Sequence, residues 1–147
     1  MSDTLDTLEN ITYDELNEGD TATFTRTLTE DELVLFAAVS GDVNPVHLDS
    51  EFAAGSMFKE RIAHGMWSGS LISAALATVM PGPGTIYLDQ SLSFKRPVKL
   101  DDTLTVQLKI LRKEPKGRVV VECDVRNQND QKVVIGEAKV IAPSEKV

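Results

Sequence analysis

The sequence predicts an α+β domain in which one long apolar helix lies against an antiparallel sheet. Three observations lead there. Gly65 to Met80 (GMWSGSLISAALATVM) carries no formal charge and is apolar nearly all round, the pattern of a helix covered on most sides. From Gly84 onward the apolar period changes to two, as in half-buried strands. Helical patterns come first and strand patterns last, an order that places helices on one face of a sheet.

The remaining elements follow from local chemistry. The Thr-rich run Thr21 to Leu28 suits a strand. Thr29 and Glu32 form an S/T-x-x-E capping box, opening a helix over Glu30 to Val39 with Leu33, Phe36 and Ala37 inward and an end at Ser40-Gly41. Pro45 disfavours helical geometry at Asn44, so the loop GDVNPVHL must bend or extend. A short helix is expected over Ser50 to Ala54, then a mixed connection into the central helix. The run of 16 residues from Gly65 is shorter than the ~20 apolar residues a membrane span needs, contains hydroxyls and ends at Pro81-Gly82-Pro83-Gly84.

In the second half, Ile86, Leu88, Leu92 and Phe94 share one strand face, with Gln90 as the polar exception. Leu104, Val106, Leu108 and Ile110 alternate with polar residues. So do Val119, Val121, Cys123 and Val125, and then Val134, Ala138 and Val140. Turn residues at Asp101-Asp102, Pro115-Lys116-Gly117 and Asn129-Asp130 separate these runs, giving successive antiparallel strands.

A chain of 147 residues is most simply one domain. The net charge of −8 opposes binding to nucleic acid or to an anionic membrane surface, although local cations and helix N-termini can still hold an anionic ligand. No basic start followed by an apolar run marks a signal peptide. The single cysteine rules out an intrachain disulfide framework, and a cytoplasmic location is expected.

Candidate chemistry is sparse. There are two histidines, His47 and His64, both at loop ends. Zinc is not expected, since a site needs three or four compatible ligands. Cys123 sits in a strand pattern facing the core, where thiols are inert. Asp42 and His47 flank the Gly41 and Pro45 punctuation. A curled loop would let them converge on one water, but the same residues also read as ordinary turn chemistry.

A wider motif decides between those readings. The run FAAVSGDVNPVHLDSEFA, Phe36 to Ala53, resembles the signature of the MaoC-like, (R)-specific enoyl-CoA hydratases, matching S-G-D-x-N-P-[aliphatic]-H from Ser40 to His47. Ile62 to Met66 (IAHGM), leading into Ser70, resembles the family's entry to its central helix. Pro83 to Val98 resembles the long strand that follows it. The resemblance implies a hot-dog fold, a long helix gripped by a curved antiparallel sheet. With the polar, turn-rich start and the polar end read from composition, the expected layout is a flexible lead-in over 1–12, a hydratase domain over 13–142 and a tail or linker over 143–147. The lead-in and ending further resemble a hydratase domain fused to phosphate acetyl- or butyryltransferases, which would make such a domain a C-terminal partner.

The implied activity is reversible hydration of a trans-2-enoyl-CoA to the (R)-3-hydroxyacyl-CoA. The resemblance assigns Asp42 and His47 to the catalytic water, with Asn44 orienting the loop or the water. Gly65, at the first turn of the central helix, becomes the oxyanion donor, and Ser70 becomes a hydrogen-bonding serine near the acid. His64 is open between a loop contact, a ligand contact and a structural role. Lys95 and Arg96 are candidates for the CoA phosphates, with Lys99 and the Arg112–Arg118 cluster as further choices. No metal or cofactor is implied beyond the substrate's own CoA. The expected assembly is a homodimer or dimer of dimers. Other readings are a hot-dog thioesterase or acyl-carrier dehydratase, and a non-catalytic acyl-CoA-binding module.

Overall fold

The computed structural model describes residues 8–147. Strand β1 (Thr21–Thr27) leads into helix α1 (Glu30–Ser40), whose capping box at Thr29 and Glu32 is formed; such a cap contributes about 1 kcal/mol. Gly41 ends α1 in the left-handed conformation, φ 79°, which costs glycine least, and the chain turns into the GDVNP loop. Asn44 is extended, as Pro45 requires, and caps a one-turn helix α2 (Pro45–Leu48). Helix α3 (Ser50–Ala54) is capped by Asp49. Helix α4 (Gly65–Thr78) follows. The rest is sheet: β2 (Ile86–Gln90), β3 (Ser93–Phe94), β4 (Thr103–Glu114), β5 (Arg118–Arg126) and β6 (Lys132–Ile141).

The strands form one antiparallel sheet in the order β1-β4-β5-β6-β2, with β3 also on β6. The alternating residues of β4, β5 and β6 are buried as expected. They pack on α4, which touches β1, β4, β5 and β6 and buries Trp67, Leu71, Ile72, Ala75 and Leu76. Each fully buried Leu or Ile contributes about 1.5–3 kcal/mol, so this face fixes the helix's rotation.

Three expectations are corrected. First, the cover of α4 is incomplete: most of its sides are buried or partly buried, as expected, but the stripe Met66, Ser70 and Ala77 is exposed. Second, the strand after Gly84 does not bury its alternate residues. Ile86, Leu88 and Phe94 are about half exposed, since β2 is an edge strand, and the pairing is broken by a bulge between Tyr87 and Asp89. Third, the two ends are not loose where they are described. The lead-in expected over 1–12 lies partly outside the described residues, but Asn10 is buried and its Nδ2 donates to the carbonyls of Pro83 and Glu145. The Val147 amide donates back to Asn10 Oδ1. A buried amide needs such partners, and the tail supplies them.

Candidate active site

The loop before α2 is built from its own polar side chains. Ser40 Oγ donates to the Phe36 carbonyl at 2.7 Å and accepts from the Asp42 amide at 3.1 Å. Asp42 Oδ1 accepts from the Asn44 amide, and Asn44 Oδ1 from the Val46 amide. These are Asx-type turns. Asn44 therefore serves the loop, and its carbonyl accepts from the His47 amide.

The loop brings Asp42 and His47 together. Asp42 Oδ2 lies 3.8 Å from His47 Nε2, with the Asp42 side chain half exposed and the imidazole nearly buried. His47 Nδ1 is 2.7 Å from the Ile62 carbonyl. A carbonyl only accepts, so Nδ1 carries a proton, and in the neutral ring Nε2 presents its lone pair to Asp42. Two acceptors then face each other at a separation too long for a direct hydrogen bond and short enough for one oxygen to reach both.

The backbone of His47 is clamped separately. Arg61 Nε donates to the His47 carbonyl at 2.7 Å, while its two terminal nitrogens grip the Glu30 carboxylate at 2.8 and 3.1 Å. This bidentate pair ties α2 to the start of α1. No local pattern signals it, because Arg61 and Glu30 are brought together only by the tertiary fold.

His64 is also buried. Its Nε2 donates to the Asp42 carbonyl at 2.8 Å, and its ring stacks on His47 with centroids 3.8 Å apart and planes 25° apart. Of the three readings left open for it, the loop contact is realised. Asp42, His47 and His64 each offer one ligand atom, and these atoms all lie within 4.8 Å of one another.

Gly65 opens α4 as expected. No side chain caps this helix, and its first turn holds no acidic residue, so its leading amides and positive dipole end are available to an anion. The Phe94 ring lies beside Gly65, 3.2 Å from where a Cβ would stand. A cavity of about 260 Å³ there is lined by His64, Gly65, Ser68, Phe94, Lys95 and Arg96 among others. Lys95 and Arg96 are exposed and in no ion pair among the described residues. In contrast, Lys99 pairs with Glu60 and Arg112 with Glu114, while Lys113 lies over the Tyr13 ring.

Ser70 is a correction. The burial of Trp67, Leu71 and Ile72 turns it to the open side of α4, where its Oγ donates to the Trp67 carbonyl at 2.6 Å rather than to the acid; such back-bonding is usual for helical serine. Ser70 instead lines a largely apolar groove of about 520 Å³ along α4, with Phe36, Met66, Ser73, Leu88 and Leu92. Cys123 is buried, and burial pushes its thiol up to about 11, so it is no nucleophile at neutral pH.

With this geometry in place, comparison defines the class. Residues 15–132 match the "MaoC like domain", and the chain belongs to that family. The chain is 59% identical to the R-hydratase PhaJ1 from Pseudomonas aeruginosa in its unliganded form, with a TM-score of 0.93 over 95% of this chain and 90% of that one. It is 39% identical to a Rhodospirillum rubrum protein named (R)-specific enoyl-CoA hydratase, across 90% of this chain and 92% of the relative. An Aeromonas caviae protein of the same name is 40% identical, across 87% and 96%. The expected α+β hot-dog fold is borne out by these structural likenesses.

Proposed function

We propose that this chain is an (R)-specific enoyl-CoA hydratase, adding water reversibly across a trans-2-enoyl-CoA. The observation that carries the reading is the facing pair of acceptors, Asp42 Oδ2 and His47 Nε2, 3.8 Å apart. A water held between them attacks C3 while the dyad takes up its proton. Charge builds on the thioester oxygen as C2 becomes enolate-like, and the Gly65 amide with the α4 dipole stabilises it. A proton then returns to C2, so the sum is water plus enoyl thioester giving hydroxyacyl thioester. The step is redox-neutral and asks for no cofactor of its own. In this reading the groove along α4 takes the acyl chain. The names of the R. rubrum and A. caviae relatives support the assignment.

The test is loss of the ultraviolet absorbance of a conjugated enoyl-CoA on adding the protein, with chiral analysis of the product. A second reading has one specific support: an Arabidopsis thaliana relative, 33% identical, is named as a mitochondrial 3-hydroxyacyl-[acyl-carrier-protein] dehydratase. Running crotonyl-CoA beside the same acyl group on a carrier protein separates the two.

Lys95 and Arg96 hold the CoA phosphates at the mouth of the α4 cavity. Reversing both charges (Lys95→Glu, Arg96→Glu) is expected to raise KM about tenfold with kcat within twofold. The wild-type KM should rise with salt, as exposed charge contacts are screened. An unchanged KM removes these two residues from the binding site.

The edge strand β2 carries exposed Ile86, Tyr87 and Leu88 beside exposed Met66 of α4, and an uncovered apolar edge seeks a partner strand. We assign this face to a homodimer. Leu88→Lys, which charges the edge, is expected to lower the mass in light scattering from twice to once the 16.1 kDa of one chain. No described helix is long and apolar enough to cross a membrane, and the unpaired, buried Cys123 suits the cytoplasm we assign to the protein. The acyltransferase fusion finds no support in the R. rubrum and A. caviae relatives, which are themselves covered over 92% and 96% of their length.

A further inference from the structure

We propose that His64 is the positioning residue of the dyad, fixing the Asp42 main chain through Nε2 and the His47 imidazole through its ring. The inference rests on the Asp42/His47 reading above. Residues 41–44 are held otherwise only by short-range bonds: Gly41 to Ala37, Asp42 to Ser40, and Asn44 to Asp42, Val46 and His47. The contact from His64 Nε2 to the Asp42 carbonyl, 22 residues away in sequence, is the one hydrogen bond among the described residues that ties this loop to anything beyond its two flanking helices. The same ring stacks on His47, and Phe36 of α1 packs against it at 5.1 Å and 56°, so it cannot tilt freely. His64 is itself pinned. The Ala63 amide before it donates to the Val98 carbonyl, and the Trp67 amide donates to the His64 carbonyl at the start of α4. One side chain therefore refers acid, imidazole and the neighbouring Gly65 amide to a common frame.

Stability alone does not call for a histidine here. His64 is 3% exposed, and its Nδ1 has no hydrogen-bond partner among the described residues. A bare buried acceptor is unfavourable, whereas phenylalanine would fill the same space without one. Position 64 therefore accepts a stability cost in exchange for an N–H on the Asp42 carbonyl.

The experiment compares wild type, His64→Phe and His64→Gln in crotonyl-CoA hydration and thermal melting. His64→Phe keeps the ring and loses the donor. It should melt at the wild-type temperature or above, yet lose about 10–100-fold in kcat, the scale on which roughly 1 Å of misplacement acts, with KM within twofold. His64→Gln, whose amide nitrogen can stand near the Nε2 position, should recover at least about threefold of that loss. His64→Phe keeping more than half of kcat overturns the proposal; so does a rate loss that tracks a fall in melting temperature in both variants. Imidazole ¹⁵N spectra of the wild type, which has only two histidines, give a readout that does not need turnover. They should show His64 protonated at Nε2 and His47 at Nδ1, and the His47 signals should shift in His64→Phe. A His64 protonated at Nδ1 alone, or unmoved His47 signals, contradicts the positioning role even if the wild type hydrates substrate. A wild type inert toward crotonyl-CoA, with these spectra as expected, sinks the hydratase reading instead.

Discussion

Asp42→Asn and His47→Gln are each expected to lower kcat for enoyl-CoA hydration by about 10²–10⁴-fold, the range that positioned proton transfer supplies. Asparagine keeps the Oδ1 contact to the Asn44 amide, so the loop survives. It puts an N–H or a weakly basic oxygen where a carboxylate held the water, and the water can no longer give up its proton there. Glutamine at 47 removes the lone pair whose direction is fixed by the Nδ1 contact to Ile62. Because neither change touches the α4 cavity, KM should stay within a few-fold, the mark of an interaction made in the transition state. Steady-state kinetics with melting curves as a folding control check this. A near wild-type kcat in either variant removes that residue from the mechanism.

The largest effect on stability is expected at Gly136. A Cβ there would fall inside the contact radius of the Ser91 carbonyl oxygen and 2.8 Å from the Ser91 carbonyl carbon. Both are backbone atoms, held by the Ser91 amide on the Glu137 carbonyl, so no flexible side chain can give way. Gly136→Ala should destabilise the fold by about 3 kcal/mol or more, the upper range of overpacking effects. Urea denaturation reads this as a lower midpoint. Gly55→Ala is the control: its Cβ meets only the Phe52 carbonyl at 3.6 Å, and the effect should stay within about 0.5 kcal/mol. Equal midpoints for the two variants would mean that Ser91 does not press against β6.

Much of this architecture is written in local pattern. The capping box at Thr29 and Glu32, the stop at Gly41 and the alternation of β4 to β6 each depend on residues close in sequence, and all are found as read. The strand after Gly84 misled because alternation reports a face that can be buried, and β2 keeps that face at an open edge. Ser70 misled because a motif gives position along a helix but not the rotation, which Trp67, Leu71 and Ile72 set. In the site, the spacing of Asp42 and His47 around Gly41 and Pro45 was legible. What holds them was not: Arg61 on the His47 carbonyl and His64 on the Asp42 carbonyl join segments 14 and 22 residues apart. Such contacts leave no periodic trace.

The central claim is geometric: an acid and an imidazole share one water beside the amide end of α4. A high-resolution crystal structure with a bound, unreactive acyl-CoA analogue tests it most directly. The account predicts an ordered oxygen within hydrogen-bond distance of both Asp42 Oδ2 and His47 Nε2, with the thioester oxygen on the Gly65 amide. An analogue seated with its reactive carbons away from that oxygen, or Asp42 turned out to solvent with no water on His47, would contradict it.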